Sequence, residues 1–240
     1  MTTPHRSAVI ADFDAISGRY DLLTRLNPGY LTHLAWSAER LALSPGARIL
    51  DLCCGTGLST RALIATYPDS AEIVGLDASE GMLAHARRAV KVVGPRPRLT
   101  FVAGDAADPR AQLGPEPFDA ILMAYGIRNV PDADGCLAAL NQLLKPGAPI
   151  CFHEYSVADS PVARAIWNAV ALSVIMPLGV AATGNVGMWR YLRRSVNGFD
   201  GVAAFEERLA RHGFVDVRTL PMNGWQRGIV HSFLARRPRP

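Results

Sequence analysis

Residues Ile49–Thr60 read ILDLCCGTGLST. An apolar run ends at an acid, a short loop with two glycines follows, and a helical pattern begins at Leu58. This is the signature of a strand that feeds a glycine turn and then a helix N-terminus, where free backbone N–H groups face a ligand. The pattern repeats downstream with other loops. AEIVGLD (71–77) and LTFVAGD (99–105) are strand candidates that end at acids, FDAILMAYG (118–126) is a fourth and PICFHEYS (149–156) a fifth. Helical spacing fills the intervals: 58–67, 79–93 with Ser79 placed to cap, and 132–147 with a Pro-Gly stop. Strand and helix alternating at this interval specify an open, mostly parallel α/β sheet, Rossmann-like in form.

The flanks carry other patterns. Residues 1–46 read as a helical arm, 47–156 as the cofactor-binding core, 157–200 as an apolar helical insert and 201–240 as a helix with a closing antiparallel hairpin, FVDVRTL against GIVHSFLAR. The hairpin raises the sheet to seven strands. Arm and insert interrupt no strand alternation, which places them as a helical lid over the carboxyl edge of the sheet, where ligands of such folds bind.

Composition narrows the function. The chain has 240 residues, of which 49% are hydrophobic and 19% charged, enough for one sizeable core in a single domain. The net charge is +4, drawn largely from Arg87/Arg88, Arg193/Arg194 and the tail RRPRP. No basic stripe with interleaved aromatics is evident, so nucleic acid is not an expected partner. Acids near the start and the lack of an unbroken apolar run argue against a signal or transit peptide and for a cytoplasmic protein. The most apolar tract, Ala165–Ala182, is broken by Asn168, Pro177 and Gly179. It reads as a buried or substrate-facing helix, with shallow peripheral membrane contact as the alternative. Cys53, Cys54, Cys136 and Cys151 have neither CxxC spacing nor a nearby His pair. They read as small packing residues, and no metal site is expected.

The glycine turn is tested by its cofactor. Read from Gly55, a dinucleotide fingerprint would place its third glycine at Thr60, where a bulky residue weakens the close helix–strand packing. Asp51 precedes the loop and would repel a pyrophosphate, but suits the ammonium of an amino-acid cofactor. Asp77 stands where a ribose diol is gripped, and Asp105 where an adenine amine could donate. A pocket with three acids and one short glycine turn suits a cationic nucleoside without phosphates, S-adenosylmethionine. An NAD-dependent oxidoreductase is the remote alternative.

The strings LDLCCGTG, VGLDAS, AGDAAD, FDAI and LLKPGAPI resemble the successive motifs of class I S-adenosylmethionine-dependent methyltransferases. Narrower strings, FDAISGRYDLLTRLNPG, AYGIRNVPD (124–132), HEYSVADSP (153–161) and WRYLRRSV (189–196), resemble the quinone C-methyltransferases that act on demethylmenaquinone and the ubiquinone precursor. The resemblance implies cofactor contacts from Gly55, Gly57, Thr60, Asp77, Asp105 and Ala106, and a homodimer. Asp51, Ala78, Met82 and Tyr125 complete the candidate cofactor set. Ala124 departs from a common serine, Glu154-Tyr155-Ser156 from the usual acid-Phe-Ser string, and NGWQRGIVHSF from a glycine-rich segment.

The implied acceptor is a quinol ring carbon, most nearly demethylmenaquinol. The alternatives are methylation at O or C of another small aromatic or polyketide-like metabolite, or cofactor binding without turnover. Arg128 and Asn129 are the catalytic candidates at the ligand edge, with His153 and Glu154 as candidate bases, of which strand alternation allows one to face the pocket. Tyr20, with Asp21 beside it, and Tyr191 are candidates to close on the substrate ring.

Overall fold

The computed structural model describes Thr24 and residues 27–240. Tyr20, Asp21 and the first helical pattern of the arm lie outside the described residues. A seven-stranded sheet has the order β3-β2-β1-β4-β5-β7-β6, with β1 (Arg48–Leu52), β2 (Glu72–Asp77), β3 (Arg98–Ala103), β4 (Ala120–Ala124), β5 (Pro149–Tyr155), β6 (Val215–Pro221) and β7 (Val230–Arg236). The first five strands are parallel, and β7 runs antiparallel between β5 and β6. The expected hairpin is present, and its second strand inserts next to β5.

Burial follows position in the sheet. Ile49–Leu52 of β1 and all of β5 are buried, whereas the edge strands β3 and β6 alternate between half-buried and exposed residues and have none fully buried. Strands covered on both faces read as unbroken apolar runs, which is why β1, β4 and β5 were visible in the sequence. One face packs on α5 (Ala133–Leu143) and α9 (Val202–Arg211), through Leu137, Leu140 and Phe205. The other packs on α1 (Tyr30–Glu39) and α2 (Leu58–Thr66), through Ala38 and Leu63.

Helix ends follow the local chemistry. Ser79 accepts from the Met82 N–H at 3.1 Å and caps α3 (Glu80–Ala89), and Asp132 accepts from Gly135 at 2.9 Å and caps α5. The short α4 (Arg110–Leu113) follows β3. β1 pairs with β2 on one side and β4 on the other, so connections diverge at its carboxyl end and leave a crevice there.

The insert differs from its expected form. Pro177 and Gly179 do not break it: α6 (Pro161–Val170), a π turn (Ala171–Ile175) and α7 (Met176–Thr183) form a 23-residue helix. The π turn precedes the proline and takes up the irregularity that its missing N–H imposes. Burial was also overestimated, since only 17% of its most apolar window is buried. The stretch MWRYLRRSVNGF lies mainly in a further helix, α8 (Val186–Gly198), which lies against α7. A β-carbon on Gly179 would meet the Trp189 ring at 2.2 Å, so only glycine allows this approach.

Gly57, at φ +86°, begins α2, and a β-carbon there would lie 2.4 Å from Val90 Cγ2. Gly57→Ala combines left-handed strain with overpacking, and should lower stability by about 1–3 kcal/mol. Urea unfolding at constant m-value checks this.

Candidate functional site

The turn after β1 is built from two acids. Asp77, the last residue of β2, accepts from the Gly55 N–H at 2.8 Å with one carboxylate oxygen and from the Ser79 N–H at 2.9 Å with the other. It therefore ties the glycine turn to the start of α3. Asp51 is fully buried behind the turn, where one oxygen accepts from Ser59 Oγ at 2.8 Å and Thr60 Oγ1 at 2.5 Å. Its other oxygen, Oδ1, has no hydrogen-bond partner among the described residues, and burial raises the Asp51 pKa to about 7. Cys53 adopts φ +58° and Gly55 φ +54°. The Cys53 position thus asks for a left-handed backbone as well as a small side chain. The cysteines are free thiols, three of them buried, in keeping with packing roles.

A second constellation follows β4. Tyr125 also has a left-handed backbone, at φ +56°, and its carbonyl accepts from Arg128 Nη1 at 2.8 Å and Asn129 Nδ2 at 3.0 Å. These two bonds compensate a conformation that non-glycine residues rarely adopt. Arg128 also forms a buried pair with Glu154, Nη1 to Oε1 at 2.6 Å. Burial raises the Glu154 pKa, against the pull of Arg128. The Tyr191 hydroxyl donates to Asn129 Oδ1 at 3.0 Å, joining α8 to this turn. Burial raises the Tyr191 pKa, which keeps it a neutral donor. A β-carbon on Gly126 would approach Cys53 Cβ at 2.8 Å, so the two turns touch.

His153 belongs to a third network. Its Nε2 lies 2.9 Å from the Tyr125 hydroxyl and its Nδ1 2.7 Å from Ser37 Oγ, which is 2.7 Å from Ser232 Oγ. Arg40 Nη1 donates to Ser232 Oγ at 2.8 Å. Burial lowers the His153 pKa to about 3, so the ring is neutral and a weak base. Around it Tyr30 stacks on Tyr125 at 5.4 Å, and Tyr155 packs against Tyr125 at 5.0 Å and Trp167 at 4.8 Å.

These turns surround a cavity of about 490 Å³. Gly55, Asp77, Ala78, Met82, Asp105 and Ala106 line one end, and Tyr125, Arg128, Asn129 and Tyr191 line its middle. The far end is apolar, walled by Val170, Val174, Ile175, Leu178 and Trp189. Ten of the candidate residues thus converge. Asp51, Gly57, Thr60, His153 and Glu154 are not among the lining residues. Asp51 and Thr60 brace the turn from behind, and Gly57 packs against α3. Strand alternation sends His153 and Glu154 to opposite faces of β5, yet neither reaches the cavity, because Tyr125 and Arg128 stand between. Tyr30, Tyr155 and Trp225 line the cavity without having been singled out. Alternation from His153 places Tyr155 on the same face and could have found it; Trp225 comes from the turn between β6 and β7 and has no local signal.

The residues fit S-adenosylmethionine. A β-carbon on Gly55 would meet nothing within 4 Å, so its backbone borders open space. Asp77 and Asp105 line this end of the cavity, and two carboxyl groups there favour a cation and oppose a pyrophosphate; Asp51, buried behind the turn, is drawn toward its neutral form. With a native pKa near 7 against an ordinary 3.8, the folded protein holds an extra proton between those values. Its stability therefore falls as pH rises through 7. Asp51→Asn should remove this loss, so wild type should lose at most about 2–3 kcal/mol relative to the variant between about pH 5 and 8. Urea midpoints of the ligand-free proteins measure it.

Comparison with known proteins agrees with this geometry. A model of the ubiE/COQ5 methyltransferase family matches residues 1–235. The ubiquinone/menaquinone biosynthesis C-methyltransferase UbiE of Methylobacterium nodulans is 34% identical over 220 residues, covering 88% of this chain and 84% of the relative. The demethylmenaquinone methyltransferase of Lactococcus lactis is 30% identical over 243 residues, covering 100% and 94%. In fold, the chain is similar to an S-adenosylmethionine-dependent methyltransferase from Thermotoga maritima, described as a possible histamine N-methyltransferase, with TM-score 0.64, 18% identity and coverage of 95% and 98%. It is also similar to the phosphoethanolamine N-methyltransferase 2 of Haemonchus contortus solved with S-adenosylhomocysteine, with TM-score 0.64, 17% identity and coverage of 94% and 58%. The chain belongs to the ubiE/COQ5 methyltransferase family and is an S-adenosylmethionine-dependent methyltransferase.

Proposed function

We propose that the protein methylates a ring carbon of a quinol, of the demethylmenaquinol type, in quinone biosynthesis. The observation that carries this reading is the two-ended cavity, acid-lined at the glycine turn and apolar along the insert helix, with a guanidinium and an amide between. Relatives named for this reaction support it. The family resemblance also supports a cytoplasmic homodimer.

S-adenosylmethionine, when bound, supplies an electrophilic methyl group. A carboxylate offers about four lone-pair sites, so Asp77 keeps acceptor capacity for ribose hydroxyls after holding Gly55 and Ser79. Asp105 is the candidate acceptor for the adenine amine, while Ala78, Met82 and Ala106 shape the surface for its ring. Alignment behind the methyl and exclusion of water are the main demands of the reaction. The ring carbon becomes nucleophilic when a phenolic proton leaves. Arg128, oriented by Glu154, faces the cavity where phenolate charge develops, and Asn129 with Tyr191 supplies polar contacts to a ring oxygen. Glu154 and His153 are positioning residues in this reading, acting through Arg128 and Tyr125.

Because His153 is too weak a base and Tyr191 stays protonated, kcat/KM should rise with pH as the acceptor's own phenol ionises. An inflection between about pH 6 and 7 that His153→Gln abolishes would instead make His153 the base. Asp77→Ala should lower cofactor affinity at least about 100-fold by calorimetry, losing its direct contact and the braced turn. Arg128→Ala should keep that affinity while reducing kcat by about 100- to 1000-fold.

The departures at Ala124, Tyr155 and NGWQRGIVHSF favour, as a second reading, a soluble phenolic acceptor. Incubation with methyl-labelled cofactor and a short-chain demethylmenaquinol separates the two. Label on the quinol ring carbon is the expected outcome; label on a soluble phenol alone would replace this proposal with the second.

A further inference from the structure

The insert helix presents two features that a cavity wall does not require. Ala163, Trp167, Ala171 and Gly179 are buried and seat it on the body of the protein. Away from the cavity, Val162 is 69%, Ile166 43% and Leu172 53% exposed. Beside it lies a shallow cleft lined by Arg164, Arg190, Arg193, Arg194, Leu172 and Met176, among others. Asn197 accepts from Arg164 and Asn168 from Arg193, at 2.9 and 2.7 Å, which holds two of the guanidinium groups in place. Arg190 and Arg194 are exposed. Between Ser160 and Phe199 the chain has these four arginines and no acid, a local charge equal to the +4 net charge of the whole protein.

We propose that this helix face and its arginine cleft form a docking site for a membrane surface containing anionic phospholipid. Apolar side chains beside guanidinium groups that have no ion pair among the described residues match the two layers of such a surface, acyl chains and phosphates. A helix with one side seated on the protein lies along the membrane and does not cross it. Val174 and Leu178 are both exposed and part of the cavity wall, so the apolar end of the cavity adjoins the docking face. The inference deepens the quinol reading and rests on it for its purpose: a lipid-soluble acceptor would enter from the surface on which the helix lies.

Sedimentation with phosphatidylglycerol/phosphatidylcholine vesicles, and with phosphatidylcholine alone, tests it on the full chain. Binding is expected to the anionic vesicles and to weaken with salt. Each arginine near an anionic surface contributes roughly fivefold. The double variant Arg190→Glu/Arg194→Glu should therefore weaken vesicle binding at least about tenfold, and Val162→Asp/Leu172→Asp should weaken it comparably, while both keep the wild-type calorimetric affinity for S-adenosylmethionine. No binding to anionic vesicles, or equal binding by wild type and both variants, overturns the proposal. So does a dimer that Val162→Asp/Leu172→Asp dissociates without any vesicle binding, which would assign the face to a second copy of the chain. A water-soluble short-chain quinol needs no membrane. Failure to methylate it would sink the quinol reading while the vesicle result still decides the docking site.

Discussion

The site depends on a single carboxylate. Asp77 ends β2 with both oxygens bonded to backbone N–H groups, one in the turn after β1 and one at the start of α3. Neighbouring parallel strands bring their carboxyl ends to one edge, but their loops have no reason to share a geometry. A charged acceptor between two donors supplies that reason, since charge-assisted hydrogen bonds are about twice as strong as neutral ones. Asp51 repeats the device one strand over, holding the first turn of α2 through Ser59 and Thr60. Both acids thus shape the turn, while Asp77, which lines the pocket with Asp105, sets the negative potential that a sulfonium cofactor meets.

The second turn uses the opposite charge. Tyr125 is held in a left-handed conformation because Arg128 and Asn129 both donate to its carbonyl, and Glu154 fixes the guanidinium from the adjacent strand. A buried pair of this kind is weak as a source of net stability, because desolvation offsets much of the attraction. Its value here is orientation. Gly126 permits contact with Cys53, so a change in either turn is felt by the other. Tyr191 reaches Asn129 from α8, which ties the lid to the same point.

Much of the core was legible locally. Five strands, the cap at Ser79, the Pro-Gly stop after 132–147 and the closing hairpin follow from apolar runs, acids at strand ends and turn residues, all of them short-range signals. Asp77 and Asp105 could be placed on the cavity because each lies at or just beyond the carboxyl end of a strand. The same logic put Asp51 and Gly57 in the cofactor set, yet neither lines the cavity: Asp51 lies behind the loop it precedes, and the left-handed Gly57 packs toward Val90. His153 and Glu154 illustrate the limit: alternation predicts opposite faces, but not that Tyr125 and Arg128 would lie between them and the cavity.

By itself the sequence determined the strand–helix alternation, the acid-lined glycine turn and the choice of a cationic cofactor over a dinucleotide, because each rests on residues within a few positions of one another. Only the tertiary structure decided which face of the insert helix meets water, that Ser37, Ser232 and Arg40 extend the His153 network, and that Trp225 and Tyr30 enclose the cavity. Those contacts join residues up to about two hundred positions apart. No local periodicity records such partners. They are set when β7 inserts beside β5 and the helices close over the carboxyl edge, where packing and desolvation select among side chains that look alike in the linear chain.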